Sequence, residues 1–536
     1  VYPLPSSLTP PTISMPGLRR SVLLVLLLAA PIQAQQTRAE RTNNRETSRY
    51  SEVVAFLEQV AAASPRIHLA TFGYSWEGRP LPLAVWGDVA AATPEAVLAS
   101  GKTRVFIQAN IHAGEVEGKE AMLMLLRGLA RGEHAEWADS LVLLIAPIYN
   151  ADGNERITLG NRPLQHGPVG GMGQRPNAQG YDLNRDHTKL DTPEARSLVG
   201  LLRQYDPHVA VDLHTTNGTH HAYQLTYAPP LHPNTDPLIS GLLRRDWLPA
   251  VTRTIRAKHG WDFYHYGNLP EQGEATPRGW YSFDHRPRFN NNYVGLRNRF
   301  AILSEAYAYL PFGERIVVTL RFVEEILDYA HRHSGTIRRS VAEADRRAIV
   351  GQRLALRATH QRSPAPATIL MGEVARERHP YTGAPMLRRV DVRRPERMPE
   401  WIAFEPTETE RVPAAYLVPA GLEGVVERLE THGIRFRALT RPTQVSGESF
   451  RIDSTRIAER PFQMHRERTL WGAYHPLSTT VPTGTLVVPA DQPLGRLVFT
   501  LLEPRSDDGF VNWNVLDAAL EGATHYPILR TSRPIP

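Results

Sequence analysis

The segment Asn110-Ile111-His112-Ala113-Gly114-Glu115 sets an imidazole and a carboxylate three positions apart. On a tight turn entering a helix, side chains at that spacing lie on one side. His112 and Glu115 can then meet a single divalent cation. In a chain with 21 histidines the pair alone is a weak signal and needs its context. That context is Asp212-Leu213-His214, which ends the apolar run Val209–Leu213. Active residues of open α/β sheets sit at the carboxyl ends of strands. His214 there completes a His₂Glu set, which suits catalytic zinc and leaves a fourth position for water. His220 and His221 compete for the same role. His214 is preferred because a strand fixes it and because Asp212 stands ready to orient it from behind.

Between the ligand candidates lie Arg175 and Asp182-Leu183-Asn184-Arg185. A guanidinium donates two parallel hydrogen bonds to a carboxylate, so an arginine here suits a substrate carboxylate, with Asn184 adding a neutral donor. Singly, each arginine is more often a surface residue. Glu305 follows the apolar run Ala301–Ser304, where a carboxylate is a general-base candidate and a helix-starting glutamate is the bland alternative.

The elements that position these groups alternate between strands and helices. Apolar runs at 67–72, 81–86, 104–109, 141–145, 209–213 and 301–304 predict strands. Helical spacing marks Val53–Val60, Met122–Leu129 and 315–333. Thr192-Pro193 supplies an N-cap and a first-turn proline for a helix over 192–204. Alternation of this kind implies an α/β sheet covered by helices on both faces. Ser363-Pro364-Ala365-Pro366 breaks the pattern. Beyond it come short strand-like runs at 415–418, 435–439 and 485–488, with one helix at 422–432. The expected organisation is a signal segment over 1–34, a polar lead over 35–49, a catalytic domain over 50–345, a linker over 346–366, and a smaller β-rich domain over 367–536 whose role stays open.

Composition narrows the function further. The chain has no cysteine, which excludes disulfides, thiolate metal sites and cysteine nucleophiles. Formal charge is +6, but the basic residues are almost all arginine, scattered among acids, and form no stripe for nucleic acid. Lys102, Lys119, Lys189 and Lys258 are the only lysines. Arg19 and Arg20 precede an apolar stretch, Val22 to Ala30, too short to span a bilayer, and Ile32-Gln33-Ala34 offers a cleavage site. This predicts export, to the periplasm or outside the cell, with cleavage near Ala34. No later run predicts a membrane span. There is no Gly-x-Ser-x-Gly elbow.

The ordered set His112-x-x-Glu115, Asn150-Ala151-Asp152-Gly153, Asp182-Leu183-Asn184-Arg185, Asp212-Leu213-His214 and Leu303-Ser304-Glu305 resembles the M14 family of zinc carboxypeptidases. The likeness covers about Tyr50 to His333. It implies an open mixed sheet with helices on both faces and one Zn²⁺ per chain on His112, Glu115 and His214. It also implies that Glu305 is the general base, that Asn184 and Arg185 bind the terminal carboxylate of a peptide, and that Arg175 polarises the scissile carbonyl, with Arg162 its rival. A substrate-capping tyrosine is assigned to Tyr281, with Tyr293 the other candidate. Two positions depart from the pattern: Gly114 stands where many relatives have arginine, and Asp186 where many have asparagine. The alternatives to a carboxypeptidase are a zinc amidase acting on cell-wall peptides or N-acyl amino acids, and a catalytically dead binding module.

Overall fold

The computed structural model describes residues 35–535 except residue 272, and these form one unit. The expected signal segment lies outside the described residues. The central sheet is built from strands β1 (Ile67–Tyr74), β2 (Pro80–Trp86), β3 (Thr103–Ala109), β4 (Leu141–Ala146), β5 (Val209–Thr216), β6 (Leu225–Ala228) and β7 (Phe263–His265). A short β8 (Trp280–Tyr281) stays apart from it, and β9 (Phe300–Tyr307) completes it. The eight strands run in the order β1-β2-β4-β3-β5-β9-β6-β7. β3 pairs in parallel with β4 and β5, and β5 with β9. β1–β2, β2–β4 and β6–β9 are antiparallel, so the sheet is mixed.

The parallel centre follows from composition. β3, β4 and β5 are buried at every position, as strands covered on both faces must be. Helices Glu117–Ala130, Pro193–Tyr205 and Phe312–Arg332 supply part of the cover. Thr192 caps the second of these, accepting from Ala195 N, with Pro193 in its first turn as expected. Its start is anchored from below by Asp186. The Asp186 carboxylate accepts from Thr192 N at 2.8 Å, Thr192 Oγ1 at 2.7 Å and the buried Lys189 at 2.5 Å. Acceptance of so many donors is a role that an asparagine could not fill, which accounts for the acid at this position.

The region after helix Ser334–Arg346 is β-rich. The stretch expected to be a linker contains β10 (Arg353–Gln361), followed by β11 (Ala367–Arg378), β12 (Pro385–Met398), β13 (Glu400–Trp401) and β14 (Ala403–Arg411). β11 and β12 form a long antiparallel arm. A six-stranded sheet follows, flanked by helices Glu423–His432 and Gly495–Leu502. This region is joined closely to the first. β13 pairs in parallel with β8, and Tyr416, Val418, Leu497 and Leu501 belong to the same hydrophobic core as the central sheet.

Candidate active site

β3, β5 and β9 lie side by side and end together, so the residues that follow or finish them converge. The turn after β3 begins at Asn110, whose φ of +65° is a conformation asparagine tolerates better than most residues. Glu115 N donates to His112 O at 2.9 Å, closing a tight turn before the helix that starts at Glu117. Gly114 sits inside this turn, where a Cβ would lie 2.7 Å from Gly173 O and 2.7 Å from the Arg162 side chain. No larger residue fits there, and Arg162 occupies the space instead. On the neighbouring strands, His214 and Glu305 stand in register as direct partners.

His112, Glu115 and His214 are all buried, and one donor atom from each lies within 4.8 Å of the others. His112 Nδ1 is 2.9 Å from Glu115 Oε1, and His214 Nδ1 is 2.9 Å from Glu115 Oε2. The other nitrogen of each ring is held by a second carboxylate: His112 Nε2 by Asp182 at 3.0 Å and His214 Nε2 by Asp212 at 2.9 Å. A histidine that donates Nε2–H to a carboxylate turns its Nδ1 lone pair to the opposite side. Two such lone pairs then face the oxygens of Glu115. Acceptors facing acceptors repel unless a cation lies between them, so the donor set fits a divalent metal. His220 and His221 do not compete: His221 packs on the Tyr307 ring at 4.0 Å, and neither lines the cavity beside Glu115.

That cavity is small, about 180 Å³, and is lined by the three ligand candidates together with Arg162, Arg175, Asn184, Arg185 and Glu305, among others. Burial pushes the Glu305 carboxyl up to about 7, against the pull of His214, Arg162 and Arg175. Arg175 donates from Nε and Nη2 to Asp182 Oδ2 at 3.0 and 2.8 Å, and its Nη1 is 3.8 Å from Glu115. Arg162 is more deeply buried and bonds Glu115 directly. Arg185 lies over the Phe289 ring, 3.8 Å from its centre, and donates to Asn184 O at 2.7 Å. Asn184 Oδ1 accepts from Asn290 N at 2.8 Å, which ties the 182–185 segment to helix Asn290–Leu296.

Of the residues expected at the site, Tyr281 is not brought there. Its ring stacks on Trp401 at 4.2 Å and its hydroxyl donates to Pro277 O. Tyr293 is fully buried against His432. The tyrosine that lines the cavity is Tyr266, whose hydroxyl is pushed up to about 12 by burial and by the nearby Glu305. Three further contributors are missing from the sequence reading. Asp182 was treated only as part of a motif, yet it orients His112. Gln463 accepts from Asp182 N at 2.9 Å, reaching in from the β-rich region. Asp508 accepts from Arg288 N at 2.5 Å and Arg288 Nε at 2.8 Å, pinning the loop that carries Phe289. No local pattern announces the last two, because they are loop residues that act across long sequence separations.

Residues 53–199 match the model of the zinc carboxypeptidase family, peptidase M14. The chain is 24% identical to carboxypeptidase 2 of Trichophyton tonsurans over 454 residues, 80% of this chain and 77% of that protein. It is 31% identical to carboxypeptidase D of Mus musculus over 178 residues, 28% of this chain and 13% of that protein. Among solved structures it is similar to a metallo-carboxypeptidase from Burkholderia cenocepacia, with 18% identity, a TM-score of 0.39, and coverage of 53% of this chain and 70% of that one. Residues 53–199 are thus similar to the M14 family of zinc carboxypeptidases, and the protein is a hydrolase of the metallocarboxypeptidase class.

Proposed function

We propose that the protein is a zinc-dependent exopeptidase that hydrolyses the C-terminal bond of peptides. The observation that carries this is the convergence of His112 Nδ1 and His214 Nδ1 on Glu115, each ring backed by its own carboxylate, with Glu305 on the adjoining strand. When bound, one Zn²⁺ supplies Lewis acidity, which acidifies water and polarises a carbonyl. Glu305 accepts the proton given up during attack and passes it to the leaving amine. Its raised affinity for a proton near neutrality matches that task. Asp182 and Asp212 hold the two imidazoles in the tautomer that keeps Nδ1 free. Arg175, steadied by Asp182, is the donor for the developing oxyanion.

Arg185 and Asn184 take the terminal carboxylate of the substrate. The Arg185 guanidinium is largely buried, yet its nearest acid is Asp182 at 3.9 Å, and that group already serves His112 and Arg175. A buried guanidinium cannot shed its charge and needs an anionic partner. A free C-terminus provides one in the bidentate geometry arginine favours. Export with cleavage near Ala34 completes the reading. No described helix is long and apolar enough to cross a membrane. N-terminal sequencing of exported protein should begin near Gln35, and an intact Arg19–Ala34 segment on it would refute cleavage.

The test of the metal site is zinc content. Purified protein should hold one zinc per chain, while His112→Ala and His214→Ala should lose it with little change in the circular dichroism of the fold. Full zinc retention in both variants would overturn the ligand assignment. Zinc retention together with hydrolysis of N-acyl amino acids, but not of peptides, would favour the amidase alternative.

A further inference from the structure

Two long strands of the β-rich region, Thr443–Ile457 and Arg468–Val481, run on past their ends into a narrow tip that reaches the active site. Ala458 N donates to Glu467 O at 2.9 Å. The tip closes where Phe462 N donates to His465 O at 2.7 Å and His465 N donates to Phe462 O at 3.0 Å. Gln463 and Met464 are the two residues of the turn, with φ of +50° and +65°. Positive φ at both central positions is the pattern of a type I′ hairpin turn, where asparagine and glycine are the usual pair. Neither residue here suits it. Glutamine and methionine bring a Cβ and a long stem into the left-handed region, without the local hydrogen bond that helps asparagine. Strain of this kind persists where the surroundings over-determine it, and it gathers at functional sites.

The residues on either side anchor the tip. His465 Nε2 is 2.7 Å from Asp191 Oδ2, and its Nδ1 is 3.1 Å from Asn514 Oδ1. The Phe462 ring stacks on Trp513, with 6.2 Å between centres. Met464 is 63% exposed, whereas Gln463 Oε1 accepts from Asp182 N at 2.9 Å. Of the two strained residues, Gln463 is the one that hydrogen-bonds the site. Asp182 is the hub there. Its Oδ1 is 3.0 Å from His112 Nε2 and accepts from Asn184 N at 2.9 Å, while its Oδ2 accepts from Arg175 Nε and Nη2. One carboxylate can serve all of these only while the backbone it projects from is fixed. An acceptor held from outside on the Asp182 N–H fixes the peptide plane next to that Cα.

We propose, on the carboxypeptidase reading of the site, that Gln463 is a positioning residue and that the 462–465 turn is a pin the β-rich region sets against Asp182. Gln463 does not line the catalytic cavity, so it acts through Asp182 on His112 and Arg175. An amide side chain fits the task, because its oxygen accepts the N–H without placing a second negative charge beside the Asp182 carboxylate. Asparagine would suit the turn better, but it is one methylene shorter and falls short of Asp182 N. The residue type the turn favours is given up for reach. The β-rich region, whose role the sequence leaves open, thereby completes the support of the active site.

The test compares Met464→Gly and Gln463→Asn in the full chain. Met464→Gly relieves the turn and leaves the pin, so its urea midpoint should rise while zinc affinity and kcat stay within about twofold of wild type. Gln463→Asn suits the turn but withdraws the acceptor. Its urea midpoint should hold or rise. Its zinc affinity in a chelator competition should fall roughly tenfold, the low end for a group behind a ligand histidine. With zinc saturating, kcat for a free-acid peptide should fall roughly tenfold with little change in KM, because Arg175 is assigned to the developing oxyanion. A urea midpoint that drops together with activity in Gln463→Asn would reduce the turn to a folding role and overturn the pin. Wild-type zinc affinity and kcat in that variant would overturn it too, and in both cases the carboxypeptidase reading stands. A wild-type chain that holds zinc but releases no residue from any free-acid peptide would overturn the carboxypeptidase reading, and the zinc competition would still decide the pin.

Discussion

Replacing Asp508 by alanine probes how far the β-rich region supports the active site. Asp508 is 0% exposed and Arg288 is 3% exposed. The carboxylate accepts from Arg288 N at 2.5 Å, Arg288 Nε at 2.8 Å and Trp513 Nε1 at 2.8 Å. Alanine leaves three buried donors without this acceptor and a buried guanidinium with Glu467, at 2.8 Å and partly exposed, as its remaining close acid. Breaking a buried pair from one side costs about 3–5 kcal/mol. The loss is transmitted to the site, because Phe289 lies beneath Arg185 and Asn290 N holds Asn184. Urea unfolding followed by circular dichroism should show the loss of stability. KM for a free-acid peptide should rise more than kcat falls, since the loosened groups are the ones proposed to bind the substrate's end. Arg288→Met combined with Asp508→Leu removes both charges and should regain most of the stability. A single variant within about 0.5 kcal/mol of wild type would refute the clamp. So would a double variant no better than the single one.

Three other predictions concern the chemistry and the pH response. Glu305→Gln should keep zinc and fold while turnover drops roughly 10²–10⁴-fold; near-normal kcat with zinc in place would move the base elsewhere. Asp182→Asn and Asp212→Asn should each weaken zinc binding about 10–100-fold in a chelator competition, because each loses the charge behind a ligand histidine. Unchanged affinity in both would mean the histidines are held by something else. Burial lowers His208, His221, His232 and His432 to about 3. The folded chain then binds fewer protons than the unfolded chain between pH 3 and the ordinary histidine value, so stability falls as pH drops through that window. Each histidine contributes about 1.4 kcal/mol per pH unit. A urea midpoint unchanged from pH 7 to pH 5 would contradict this.

The parts of the molecule legible in the sequence are those where one local pattern decides the outcome. Buried parallel strands read as apolar runs, so β3, β5 and β9 and the residues at their ends were placed from sequence alone. Thr192-Pro193 marked a helix start that the structure reproduces. The arm strands were not legible. β12 is dense in arginine, and it and the long strands at Thr443–Ile457 and Arg468–Val481 are largely exposed, so neither face carries a continuous apolar stripe. Helix Asn290–Leu296 was not legible either, because its run of asparagines has poor helix propensity; burial against the sheet overrides that. No sequence signal favours Tyr266 over Tyr281: Tyr266 lies in a loop, and the two-residue strand that holds Tyr281 is too short to show periodicity. Pairing of β8 with β13 takes Tyr281 away from the site. Gln463 and Asp508 were invisible for a related reason: their partners lie 281 and 220 positions away.

The central claim is that Arg185 and Asn184 select a free C-terminus beside the metal site. The measurement is kcat/KM for one peptide as its free acid and as its C-terminal amide, in wild type and in Arg185→Ala. Amidation removes the charge Arg185 requires and turns a donor toward other donors, so wild type should favour the acid by about 10⁴-fold. Arg185→Ala should lose most of its activity on the acid and narrow that ratio. Equal wild-type rates on acid and amide, or cleavage inside a peptide blocked at its C-terminus, would contradict the account.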